Sequence, residues 1–103
     1  MEGKTILHFN PVVIKHVLEN HHSEAISGSR KKDVVKRKIF ISNTLLSMDY
    51  PLQSVADFLN LSDHTSIMYH RKKHNNKMRF ERYKKDFERF SNSFIHQLGE
   101  YAS

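Results

Sequence analysis

Phe80, Tyr83, Phe87, Phe90, Phe94, Leu98 and Tyr101 recur at steps of three and four, the spacing that stacks side chains on one face of an α-helix. A strand cannot present that stripe to a core, because its side chains change face at every residue. The spacing predicts a long amphipathic C-terminal helix over about 76–100. Its aromatic face is read as core, laid over the first helix, since a lone domain of this size needs that surface to close itself. A seam for a homodimer or a protein partner is the competing use of the same repeat. Only three Gly and two Pro interrupt the 103 residues, and β-branched residues nowhere alternate with polar ones over a useful length. The chain therefore reads as all-α, a compact helical bundle forming one domain over residues 1–103.

Asn10-Pro11 marks a helix start, since Asn caps well and Pro fits the first helical position, with Val13, Val17 and Leu18 forming the apolar face behind it. That helix is expected to end near Asn20-His21-His22. Ser23 to Ser29, which contains Gly28, reads as a surface connector with room for one short helical turn. A basic stretch from Arg30 to Lys38 then grades into Ile39, Phe40, Ile41, Leu45, Leu46 and Met48, one helix with a basic start and a buried body. Asp49-Tyr50-Pro51 breaks it, because Pro disfavours helical backbone in the residue before it. Leu52, Val55, Phe58 and Leu59 space a short helix, and Asn60-Leu61-Ser62 forms a tight connection to the next. Two short helices joined in this way make a helix-turn-helix.

Seventeen Lys and Arg against eleven Asp and Glu give a net charge of +6, which favours a polyanionic partner, nucleic acid ahead of an anionic membrane. With no cysteine, disulfides and cysteine-based zinc fingers are excluded and a reducing, cytoplasmic location suits the chain. Met1-Glu2-Gly3-Lys4 leads into no apolar run of signal-peptide length, and no segment approaches the roughly 20 apolar residues that span a bilayer.

After the turn comes Ser62-Asp63-His64-Thr65-Ser66-Ile67, followed by Arg71-Lys72-Lys73. Ser62 or Asp63 can cap the helix by accepting from an amide N–H two or three residues on. Thr65, Ser66, Tyr69, Lys72 and Lys73 fall on one side of that helix, and Ile67, His70 and His74 on another. In a major groove Asp63 accepts from cytosine or adenine amino groups, His64 offers a hydrogen bond or ring edge, and Thr65 and Ser66 reach base edges. Tyr69, Lys72 and Lys73 would hold phosphates and set register.

These residues, with Leu52 to Leu59 before them, resemble the carboxy-terminal DNA-binding domain of the bacterial replication initiator DnaA, whose fold is similar to the Trp repressor. The likeness covers residues 11–73, and less closely the terminal helix. It implies sequence-specific binding of double-stranded DNA, with a role in replication initiation, its regulation, or transcription. By this resemblance Asp63, His64, Thr65 and Ser66 read bases. Arg30 enters the minor groove, flanked by Lys31 and Lys32, and Arg37 or Lys38 holds the family's basic position at the start of the central helix. The chain departs from the family at Asn60-Leu61, where a Gly pair is usual, and at Ser62, where an Arg usually precedes the Asp. The target is thus expected to differ from the initiator box. No Gly-rich phosphate loop ending in Lys-Ser/Thr is present.

His70 and His74 have the one-turn spacing of zinc ligands. No Glu adjoins the first, and both share a face with Ile67, so packing is the better reading and no metal or cofactor is expected. His21-His22 reads as a helix end interacting with the dipole. The Asp residues are scattered without a paired nucleophile and base, and no enzymatic activity is expected. The alternative to DNA binding is a small helical protein-interaction module or adaptor working through the C-terminal aromatic helix.

Overall fold

A computed structural model describes residues 9–102. The Met1-Glu2-Gly3-Lys4 start lies outside them. The chain is all-α, as its periodicity predicts: α1 (Pro11–His21), a 3-10 turn (Ser23–Ile26), α2 (Lys32–Ser47), α3 (Leu52–Phe58), α4 (Thr65–Lys77) and α5 (Glu81–Ala102). Asn10 caps α1 by accepting from the Val12 amide at 2.9 Å, with Pro11 at the first helical position. Helix α2 runs through the middle and packs on α3, α4, α5 and the 3-10 turn, while α5 closes over α1 and α2. Among the described residues no helix is long and apolar enough to cross a membrane.

Two turns set the geometry, and neither uses glycine. Asp49 and Asn60 have φ of 67° and 57°, the left-handed conformation that ends helices and that Asn and Asp tolerate best after Gly. Beyond α3, the Asn60 amide donates to Asp57 O at 3.2 Å and the Leu61 amide to Ala56 O at 2.8 Å. After α2, Asp49 donates to Leu46 O at 3.0 Å and Tyr50 to Leu45 O at 3.3 Å. Both are Schellman closures, with each pair of final carbonyls satisfied. Asn60 thus meets a backbone requirement that Gly would meet most readily. Its Nδ2 also donates to Ile26 O at 3.3 Å, tying the turn to the 3-10 segment. Asn60→Ala is expected to lower stability by about 1–2 kcal/mol through left-handed strain, while Asn60→Gly stays near wild type. Thermal unfolding of the two variants measures the difference, and equal melting temperatures would contradict the turn assignment.

The core gathers Ile14, Val17, Leu18, Ala25, Ile41, Leu45, Met48, Val55, Ala56, Phe58, Leu59, Ile67, Phe94 and Leu98. Ala25 corrects one expectation, because the connector after α1 is not wholly a surface loop: its 3-10 turn inserts Ala25 into the core, fully buried. From Lys38 to Leu45 every residue of α2 is buried, including Ser42, Asn43 and Thr44. These polar side chains bond back to the preceding turn, Ser42 Oγ to Lys38 O at 2.7 Å, Asn43 Nδ2 to Ile39 O at 2.8 Å and Thr44 Oγ1 to Phe40 O at 2.8 Å. Burial therefore leaves none of these donors unmatched.

The aromatic stripe of α5 faces inward along most of its length. Phe94 and Leu98 are 1% and 0% exposed, Phe90 packs on the core, and Phe40 meets Tyr83, Phe87 and Phe90 with ring centroids 5.3–5.6 Å apart. Only the end residues Phe80 and Tyr101 are largely exposed. The helix begins at Glu81 rather than near residue 76, because α4 continues to Lys77 and the chain redirects over residues 78–80. No Pro or Gly marks that break.

Candidate nucleic-acid interface

Helix α4 is held from behind and bare in front. Its inner side is Ile67, His70 and His74, all buried, while Asp63, His64, Thr65, Met68, Tyr69, Arg71, Lys72, Asn75 and Asn76 are exposed. Ile67 anchors it to the core shared with α3. His70 Nδ1 lies 3.1 Å from Ser42 Oγ, and Asn43 Nδ2 donates to His70 O at 3.4 Å. His74 Nδ1 lies 3.0 Å from the Tyr83 hydroxyl, and its ring packs edge-on against Phe87 at 4.3 Å. With Nδ1 of one ring at Ser42 and Nδ1 of the other at Tyr83, both histidines are built into the packing behind α4. No cluster of three or more metal-ligating side chains occurs among the described residues.

At the start of α4, Asp63 Oδ1 accepts from the Thr65 amide and from Thr65 Oγ1, both at 3.0 Å. Asp63, not Ser62, therefore organises the helix start. The Thr65 amide and then the Thr65 hydroxyl hold its carboxyl below the usual carboxylate range, so it is an acceptor-only group there. His64 Nδ1 sits 3.4 Å from the same oxygen.

The cations divide into distinct settings. Thr65, Met68, Tyr69, Arg71, Lys72, Asn75 and Asn76 line an open groove along the outer side of α4. Arg30, Lys32, Lys36, Lys73 and Lys77 line a second groove, floored by Val35, Ile39 and Tyr83, between the start of α2 and the end of α4. Arg30 and Lys32 are thus brought to the helix that carries the Asp63 string. Lys31 is exposed between them. Ser66 and Lys73 are half-buried on the flank of α4 rather than at its outermost line. Lys38 is a correction: it is buried, and its ammonium donates to Ser29 O at 3.1 Å, closing the loop before α2. Arg37 faces the opposite side, lining a groove with Asp86 and Arg89 of α5. Sequence inspection missed Met68, Arg71, Asn75, Asn76 and Lys77. Taking Ile67, His70 and His74 as the inner side and rotating half a turn would have found most of them.

His22 is a further correction. It ends α1, but it is buried, with Nε2 2.9 Å from Gln97 Oε1 and its ring against Phe90 and Phe94. Burial pushes its imidazole below the ordinary value, as it does for His74, so neutral packing replaces the expected cation at a helix end. His70 is lowered furthest, from 6.5 to about 4, by burial first and then by Lys38 and Lys73. Between those two values the unfolded chain binds the proton and the folded one does not. Stability is therefore complete above pH 6.5 and falls as pH drops toward 4. Unfolding at pH 4.5 is expected to need about 2 kcal/mol less than at pH 7, after allowance for solvent screening. Urea midpoints at the two values test this, and equal midpoints would contradict a neutral, buried His70.

No protein-family model matches the sequence, and no curated protein and no solved structure matches it significantly.

Proposed function

We propose that the chain binds double-stranded DNA sequence-specifically, with α4 in the major groove and the Arg30–Lys32 segment on the adjoining backbone or minor groove. The observation that carries this reading is the layout of α4. One side is locked to α2, α3 and α5, and the other is an open face of acceptors, a hydroxyl, amides and cations beginning at the helix N-terminus. Recognition helices of the helix-turn-helix class place such a face against base edges. Asp63, His64, Thr65 and Ser66 read bases. Tyr69, Lys72, Lys73, Arg30, Lys31 and Lys32 hold phosphate or the minor groove. Arg37 lies apart from this set, and the burial of Lys38 speaks against a phosphate contact. The resemblance to the DnaA carboxy-terminal domain supports a role in replication initiation, its regulation, or transcription, in the cytoplasm and without catalysis. A protein-interaction module built on the α5 stripe has less support, because the centre of that stripe is already covered.

Binding to a duplex recovered from a random library, compared with a scrambled duplex, tests the assignments. His64→Ala and Thr65→Ala are expected to lose about 1–3 kcal/mol on the recovered duplex and little on the scrambled one. Lys72→Ala is expected to weaken both alike. Equal losses on both duplexes from every substitution would remove the base readers.

A further inference from the structure

The hydrogen bond from Thr65 to Asp63 fixes what the start of α4 can offer outward. Thr65 Oγ1 donates to Asp63 Oδ1 at 3.0 Å, so its hydroxyl proton is committed to that carboxylate and not to a partner. What Thr65 presents to a partner is its methyl group and the hydroxyl's acceptor capacity. One turn along, Met68 is 45% exposed and lines the same outer groove as Thr65, Tyr69 and Lys72. Residues three apart on a helix are neighbours, so Thr65 and Met68 form one apolar spot on an otherwise polar face. Met68 is not among the buried residues of α4, which are Ile67, His70 and His74.

In the major groove an A·T pair presents the adenine amino donor beside the thymine C5 methyl. Cytosine presents an amino donor with no methyl. An acceptor-only carboxylate next to an apolar spot matches the first pattern. Resting on the DNA-reading function above, we propose that Met68 is a specificity-determining residue, packing with the Thr65 methyl on thymine methyl groups and selecting A·T pairs beyond the Asp63–Ser66 string. A G·C pair there leaves the thioether facing an unfilled gap and removes a favourable apolar contact.

Deoxyuridine differs from thymidine only by that methyl, which makes it the probe. Each thymidine of a duplex recovered by library selection is replaced in turn, and affinity is measured at fixed salt for the wild type, Met68→Ala and Thr65→Ser. The wild type is expected to bind about three- to fivefold more weakly at one or two positions, the effect of burying one methyl. Met68→Ala abolishes the difference at the position it reads. Thr65→Ser, which keeps the hydroxyl for Asp63 and loses only the methyl, abolishes it at its own position. Met68 and Thr65 are both exposed, and unchanged circular dichroism confirms that the variants fold. Wild-type affinity indifferent to every deoxyuridine, or discrimination fully retained in Met68→Ala, overturns the proposal while leaving sequence-specific binding intact. A library that yields no preferred duplex rejects the DNA-reading function itself, and this inference with it.

Discussion

Phe94→Ala is expected to destabilise the fold by about 3–5 kcal/mol, the loss typical of emptying a large aromatic from a closed core. Phe94 is 1% exposed, meets the His22 ring at 5.5 Å and stacks on Phe90 at 6.2 Å. It sits where α5 closes over α1, so little backbone can relax into the gap. Domains of this size hold about 5–15 kcal/mol in total, so the variant should be partly unfolded near body temperature. Urea denaturation followed by circular dichroism measures it. The same experiment separates the two uses of the aromatic stripe. If the stripe were chiefly a partner surface, Phe94→Ala would leave the isolated chain as stable as wild type and disrupt only association.

The second large effect is on binding. Arg30, Lys31, Lys32, Arg71, Lys72, Lys73 and Lys77 lie on or beside the two grooves of α4, and none of them is ion-paired among the described residues. If six to eight phosphates are neutralised, the logarithm of affinity falls against the logarithm of salt with a slope of about −5 to −7. Raising salt from about 50 to 200 mM then weakens binding by about 10³–10⁴-fold. Fluorescence anisotropy on a labelled duplex gives the slope directly. A slope shallower than about −3 would mean that most of these cations never approach the backbone. Lys36 is excluded from the count because it pairs with Asp86 at 3.4 Å.

Much of the scaffold was legible in the sequence because its signals are local. Asn10-Pro11 names the start of α1, Tyr50-Pro51 the end of α2, and the steps of three and four the inward face of α5. The turn at Asn60 was legible in position, and its lack of a glycine is explained by the left-handed backbone that Asn accepts. What stayed hidden depends on which helix covers which residue. Lys38 sits among surface-like cations in the sequence, yet the Ser29 carbonyl and neighbouring helices enclose it. Ser42, Asn43 and Thr44 interrupt the apolar pattern of α2, but they lie at its most buried stretch because each finds a carbonyl one turn back. The redirection at residues 78–80 leaves no compositional mark, since no Pro or Gly stands there and both α4 and α5 pack on α2. Within the site, the Asp63–Ser66 string was visible as a motif. The rest of the outer face, Met68 and Asn76 included, follows from the Ile67, His70 and His74 side only once the helix is turned half a revolution, and carries no motif of its own.

The most direct test of DNA reading by α4 is selection of bound duplexes from a random double-stranded library at near-physiological salt, run in parallel with wild type and Thr65→Ala. The expected result is an enriched motif for the wild type that loses definition at one or two positions in the variant. A folded wild-type protein that enriches nothing, or a variant that returns the same motif undiminished, would contradict it.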